Sequence, residues 1–256
     1  MMYQLNAMQD ELNRGNLKIT FPNGEVILLN DYGIYVSEQP VSIVSKRRIS
    51  IHEFVGRSGF LPIDNKTREP FDIELSFNAV SNNPDQSFQQ EILLNRLSAE
   101  SNLKFNFYHH PFGSYEGIVT GVSEFQGSRL LQHNRTGKIG FKLQPDLLIN
   151  HNYTQPIQIQ QGDSIVHSYG FLNGIFKLEG SGDINLKVGN STTVLKNVSN
   201  QFPIYIDSLR NRTYVLPYRS RSDLKYDSRY PVFDRNSKIT WTGNVKKLEL
   251  TLDWRL

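Results

Sequence analysis

Six histidines and no cysteine set the outer limit of the chemistry open to this 256-residue chain. Without thiols there is no disulfide framework, thiolate metal site or cysteine nucleophile. His109 and His110 are the one adjacent imidazole pair, and imidazole is a common nitrogen ligand for metals. Neighbours at a strand end point to opposite faces, however, so His109-His110-Pro111-Phe112-Gly113 reads as a turn. His52, His133, His151 and His167 are scattered, with no His-x-x-x-His or Glu-x-x-His spacing. A serine hydrolase wants its nucleophile on a sharp Gly-x-Ser-x-Gly turn, and only partial look-alikes occur, at Gly56-Arg57-Ser58-Gly59 and Gly180-Ser181-Gly182. No glycine-rich segment links a strand to a helix as phosphate and dinucleotide sites require. A glycosidase needs two carboxyl groups at a separation fixed only in three dimensions, and the strand acids Asp72, Glu74, Glu249 and Asp253 alternate with apolar residues as solvated side chains do. The reading is of a chain that is not an enzyme, with no cofactor and no metal.

Binding is a more serious possibility than catalysis. Tyr205, Tyr214, Tyr218, Tyr226 and Tyr230, with Arg219 and Arg221 among them, offer the aromatic faces flanked by polar groups that a carbohydrate site needs. Tyr214 alternates with Leu216 as core residues do, and tyrosine is enriched at protein interfaces, so core or protein contact is preferred over sugar.

Composition narrows the partners. The 28 basic and 25 acidic residues leave a net charge of +3, too balanced to signal nucleic-acid affinity. No apolar run approaches the ~20 residues of a spanning helix, and MMYQLNAMQDELNRG has neither a basic nor an apolar leader region, which predicts a protein without membrane or secretory address.

The elements that must position these residues fall into two groups. Leu5, Met8 and Leu12, followed by Gly15, suit a short amphipathic helix or a frayed tail. Strands are predicted over 17–21 and 25–29 around Pro22-Asn23-Gly24, and over 41–44. Ile49, Ile51 and Val55 alternate with polar residues, as do Phe71, Ile73, Leu75 and Phe77, which predicts a central pair of half-buried strands joined by a long charged loop over 56–70. Such a loop is longer than a hairpin needs and carries both charge signs, so Arg57, Phe60, Lys66, Arg68 and Glu69 are the candidate subunit-interface residues. Asn82-Asn83-Pro84-Asp85 announces one helix over 86–97 with Phe88, Ile92, Leu93 and Leu97 on its apolar side. Strands follow over 103–107, 115–122 and 138–143, giving an α+β domain of antiparallel sheets with one helix over residues 1–148. Residues 144–156 read as a connection. Beyond it, short strands with Gly or Asn turns every ~8 to 12 residues predict a β-sandwich over 149–256. It closes with a hairpin at Thr242-Gly243-Asn244 that buries Trp241 and Trp254.

The order of a strand, the loop V-G-R-S-G-F, a charged R-E segment and the strand F-D-I-E-L-S-F resembles the N-terminal domain of siphophage distal tail proteins. One helix, an L-x-F-x-F strand, a Tyr-led strand and a strand running into Pro145 follow in the same order. The end, P-V-F-D-R-N-S-K-I-T-W-T-G-N-V-K-K-L-E-L-T-L-D-W-R-L, resembles the carboxyl end of that family, with Arg235 where the family commonly has Gly. The resemblance covers most of the chain beyond residue 16 and implies a tail-tip or baseplate hub in the virion, made in the host bacterial cytoplasm. It further implies a homo-hexameric ring built by the first domain, and a galectin-like or carbohydrate-module-like second domain. Its implied partners are the tail tube protein, a tail-associated (Tal-like) protein and receptor-binding or baseplate proteins, with DNA only as passing cargo. The alternative is a carbohydrate-binding module fused to an α+β domain and acting in host-surface attachment.

Overall fold

The first strand, β1 (Met2–Gln4), stands where a helix or loose tail was expected, and it runs parallel to a strand at 164–166, with Tyr3 opposite Ile165. The computed structural model describes residues 1–37, 45–53, 60–127, 134–216, 219–226 and 229–256. These form two units, one of residues 9–147 and one that combines Met1–Met8 with Leu148–Leu256. The expected first domain, 1–148, thus differs from the first unit at its start, because the amino-terminal strand finds its hydrogen-bond partners far along the chain.

In the 9–147 unit, β2 (Leu17–Thr20), β3 (Val26–Leu28) and β4 (Ile34–Val36) precede β5 (Arg47–Glu53), β6 (Phe60–Arg68) and β7 (Phe71–Val80). A helix, α1 (Pro84–Ala99), comes next, then β8 (Leu103–Phe107), β9 (Gly113–Gly127) and β10 (Asn134–Ile149). Pairing is antiparallel: β3 with β2, β2 with β8, β8 with β9, β4 with β7, and β7 with β10 over ten residues from Val80 to Phe71. Alternation in β7 buries Leu75, Phe77 and Ala79 and leaves Asp72, Glu74 and Asn78 exposed, as period two requires. The region expected to act as a connection is partly strand, since β10 continues through Pro145. That proline lies beyond the last rung with β7, Leu143 opposite Phe71, where a missing N–H breaks no bond of that ladder.

The helix begins where its capping residues say it should. Asn83 accepts from the Gln86 backbone at 2.8 Å, Gln86 Oε1 accepts from the Asn82 N–H at 2.8 Å, and Pro84 fills the first turn. Leu93, Leu94 and Leu97 join the core with Leu17, Ile19, Phe77, Phe105 and Phe141. Phe88 and Ile92, expected on the buried side, are exposed instead. Gln90 takes the buried place and donates to the carbonyls of Tyr32 and Val80, both at 2.9 Å. Arg135 on β10 holds the same helix through Ser87 O at 2.7 Å and Glu91 Oε1 at 2.5 Å, with its guanidinium 4.1 Å from the Phe125 ring centre.

The other unit contains β1 and the strands β11 (Ile157–Gln158), β12 (Ser164–Val166), β13 (Phe171–Val188), β14 (Ser191–Val198), β15 (Ile204–Asp207), β16 (Arg212–Val215), β17 (Arg219–Ser220), β18 (Lys225–Tyr226) and β19 (Asn236–Arg255). The frame is β13 against β19, antiparallel from Phe171 opposite Arg255 to Val188 opposite Ile239. Both strands bend at bulges, and β13 pairs with β15 before the bend and with β14 after it. The expected closing hairpin is absent. Thr242-Gly243-Asn244 lies inside β19, where Gly243 has φ of +97° and a Cβ would meet the Asp183 carbonyl at 2.2 Å. A bulge against Ser181–Asn185 absorbs these turn-forming residues. Leu248, Leu250, Leu252 and Trp254 are buried as alternation predicts, whereas Trp241 is only half-buried and Leu256 is exposed.

Candidate subunit interface

The expected central pair of β5 and β7 does not form. β5 pairs with β6, inside what the sequence presents as a loop, and these two make a separate two-stranded sheet with Ile51 opposite Pro62 and His52 opposite Leu61. β7 is instead flanked by β4 and β10. A lone hairpin is marginal in water unless something packs on it. Ile49 and Ile51, two apart on β5 and so on one face, are 48% and 60% exposed, although alternation marked them for a core.

Of the sequence-based interface residues, Arg57 lies outside the described residues, and Phe60 and Lys66 lie on β6. Arg68, opposite Arg47, and Glu69, whose N–H donates to the Lys46 carbonyl at 2.9 Å, are both exposed. The hairpin therefore brings Arg68 and Glu69 beside Lys46 and Arg47. It also displays Ile49 and Ile51, which sequence reasoning placed inside. Phe88 and Ile92 on α1, 63% and 51% exposed, form a second apolar surface on the same unit, missed for the same reason.

The chemistry-bearing candidates are held in other ways. His109 and His110 sit in the turn between β8 and β9, closed by His110 N–H to Phe107 O at 2.9 Å. The turn brings the rings to 4.5 Å between centres rather than splaying them, yet no group of three metal-ligating side chains occurs among the described residues. Burial, reinforced by the charge of His110, lowers His109 to about 4 from 6.5. Between those values the unfolded chain binds the extra proton, so stability falls as pH drops from about 6.5 toward 4 and the penalty levels off below. A His109 imidazole that stays neutral at pH 5.5 by NMR, and a denaturation midpoint whose acid slope flattens in His109→Gln, are the expected results.

Glu249 bonds Lys177 at 2.8 Å and Lys247 at 2.7 Å, and the Lys177 hydrogen bond, foremost, holds its carboxyl below the usual range. A glycosidase general acid needs the opposite shift. Tyr205 and Tyr214 face each other across β15 and β16 with their rings stacked at 5.2 Å, and the Lys196 ammonium lies 3.6 Å from the exposed Tyr226 ring centre. Tyr218 lies outside the described residues.

Among the described residues, a two-unit, mainly β chain with one α-helix, largely antiparallel strand pairing and a separate two-stranded sheet is the class this geometry defines. In fold the chain is similar to the crystal structure of the SPP1 Dit protein, described as a paradigm of the hub adsorption apparatus in Gram-positive-infecting phages, with a TM-score of 0.61 and 11% identity over 94% of this chain and 99% of that one. No protein-family model matches the sequence, and no curated relative does. No helix among the described residues is long and apolar enough to cross a membrane.

Proposed function

We propose that this chain is a structural hub of a bacteriophage tail tip or baseplate rather than an enzyme. The observation that carries the reading is the extent of the fold likeness, which takes in nearly all of both chains and so includes both units. In this reading the 9–147 unit assembles as a hexameric ring that joins the tail tube and lets DNA pass. The 148–256 unit carries the tail-associated and receptor-binding or baseplate proteins. The protein is made in the host bacterial cytoplasm and resides in the virion. The β5–β6 arm is the subunit contact, because a two-stranded sheet with exposed isoleucines and a charged edge needs a partner surface.

Mass photometry of the purified chain is expected to show a six-fold species, and a monomer at all concentrations would contradict the ring. Reversing Arg57 and Arg68 to Glu together is expected to weaken assembly, since like-charge juxtaposition across an interface costs about several kcal/mol. The defect should be largest at low salt, where screening is least. Unchanged assembly at low salt would remove these two residues from the contact.

A further inference from the structure

We infer that His151 is a proton-operated latch on the amino-terminal strand: its neutral imidazole keeps residues 3–8 docked, and a proton on it releases them. This concerns a single chain and stands apart from the hub reading. The residues around His151 grip the strand from Tyr3 to Met8. Asn150 O accepts from Met8 N–H at 2.8 Å, and Ala7 bridges His151. The Asn152 amide donates to Gln4 O and accepts from Asn6 N–H, both at 3.2 Å, and the Tyr153 ring meets Tyr3 edge-on at 5.5 Å between centres. The buried His151 side chain sets the shape of this grip. Its Nδ1 accepts from the Tyr153 backbone N–H at 3.1 Å, which leaves Nε2 to carry the proton and donate to the Leu252 carbonyl. A second proton has to sit on Nδ1, where it faces an N–H instead of a lone pair. The Tyr153 N–H then loses its acceptor, and the bend that aims Asn152 and Tyr153 at the strand opens.

The surrounding groups offer that charge little. Asp253 on β19 attracts it, yet Arg255 Nε already holds that carboxylate at 2.6 Å. The Trp254 ring lies 6.5 Å from the imidazole between centres, with His167 and Tyr169 packed on the same indole. On the strand side stand the uncharged phenols of Tyr3 and Tyr153, and the Met1 amine is paired with Asp163. Burial, foremost, lowers the His151 value, with the Leu252 bond and Asp253 acting against it. Release returns the imidazole toward its ordinary 6.5, so the released form binds the extra proton and docking weakens as pH falls below about 6.5. The chain passes between its two units after Met8 and again after Leu147, so release leaves only the second passage anchored in the 148–256 unit.

Amide hydrogen exchange of the full chain tests this at Leu5 and Met8, whose N–H groups donate to Val166 O and Asn150 O, with rates corrected for intrinsic exchange at each pH. One unit below 6.5 a free imidazole is about ten parts protonated to one neutral. Protection at these two amides is therefore expected to fall by up to about tenfold between pH 7.5 and pH 5.5, while the β13–β19 ladder keeps its protection. In His151→Asn, whose Oδ1 takes the place of Nδ1 as acceptor and binds no proton, the fall should be under about twofold. An equal fall in the variant, or none in the wild-type chain, overturns the inference. A loss of protection shared by the whole 148–256 unit does the same, because the unit then unfolds instead of unlatching. If His151→Asn is already open at pH 7.5, nitrogen NMR of the wild-type imidazole decides. The expected result is the Nε2–H tautomer at pH 7.5 and protonation with the same midpoint as the loss of protection. A His151 that is still neutral when the strand opens overturns the inference.

Discussion

Trp254→Ala is expected to cost about 3 to 5 kcal/mol of the stability of the 148–256 unit, the range for truncating a large aromatic in a packed core. Trp254 is fully buried near the end of β19, opposite Leu172 on β13. Its ring lies against Tyr169 at 5.1 Å, His167 at 6.2 Å and His151 at 6.5 Å between centres, so no single neighbour can move in to fill the space. The indole Nε1 donates to the Tyr169 carbonyl at 2.5 Å, and the truncated variant leaves that acceptor without this donor. Trp254→Phe separates the two effects, because it keeps most of the ring and loses the donor, and it should cost about 1 to 3 kcal/mol. Urea denaturation followed by far-ultraviolet circular dichroism reads both variants. Trp241→Ala should cost well under the Trp254 value, since Trp241 is only half-buried. In the native protein the Trp241 emission is expected to lie to the red of the Trp254 emission. A Trp254→Ala protein with an unchanged midpoint would mean that this corner of the unit is not packed as described.

Deleting residues 1–8 is the second large perturbation, and it should act on the distant half of the sequence. β1 lies parallel to β12, with Leu5 N–H donating to Val166 O and Met8 N–H to Asn150 O, both at 2.8 Å. Leu5 is buried, Ala7 bridges His151, and the Met1 amine pairs with the buried Asp163 carboxylate. Loss of the Leu5 contact alone is about 1.5 to 3 kcal/mol, and each lost hydrogen bond adds about 1. β12 would also be left with a bare edge. Both tryptophans, Trp241 and Trp254, lie in this unit, so tryptophan fluorescence reports on it alone. The fluorescence midpoint is expected to fall by several kcal/mol equivalents in the shortened protein, while assembly, which we assign to residues 9–147, persists. The same reasoning sets the limits of any separation of the halves. Residues 9–147 are expected to assemble alone, whereas 149–256 without β1 should be markedly less stable than the same unit in the full chain. Lost assembly with an unshifted fluorescence midpoint would reverse these assignments.

Local physics made much of this protein legible in its sequence. The capping run Asn82-Asn83-Pro84 located α1, because the orphan N–H groups of a first turn are satisfied by side chains only a few residues away. Alternation in β7 and in Leu248 to Trp254 named the buried face, because period two is a property of the strand itself. The absence of cysteine and of nucleophile or phosphate-loop motifs shaped the reading of the chemistry before any geometry was known. What period cannot specify is the object a face turns toward. Ile49 and Ile51 alternate as core residues do, yet their strand pairs with β6 in a separate two-stranded sheet and both are exposed, as are Phe88 and Ile92 on α1. Thr242-Gly243-Asn244 has the chemistry of a turn, and a bulge accepts the same residues when a long partner strand holds both sides. The amino-terminal spacing fitted a helix equally well until Ser164–Val166, more than 150 residues away, supplied its parallel ladder. Strand pairing is a contact between distant segments, decided by which edges are free once the rest has folded. For that reason the elements were written in the sequence, while the partners of β1, β5 and β19, and with them the exposed surfaces of the candidate interface, were settled only by the tertiary structure.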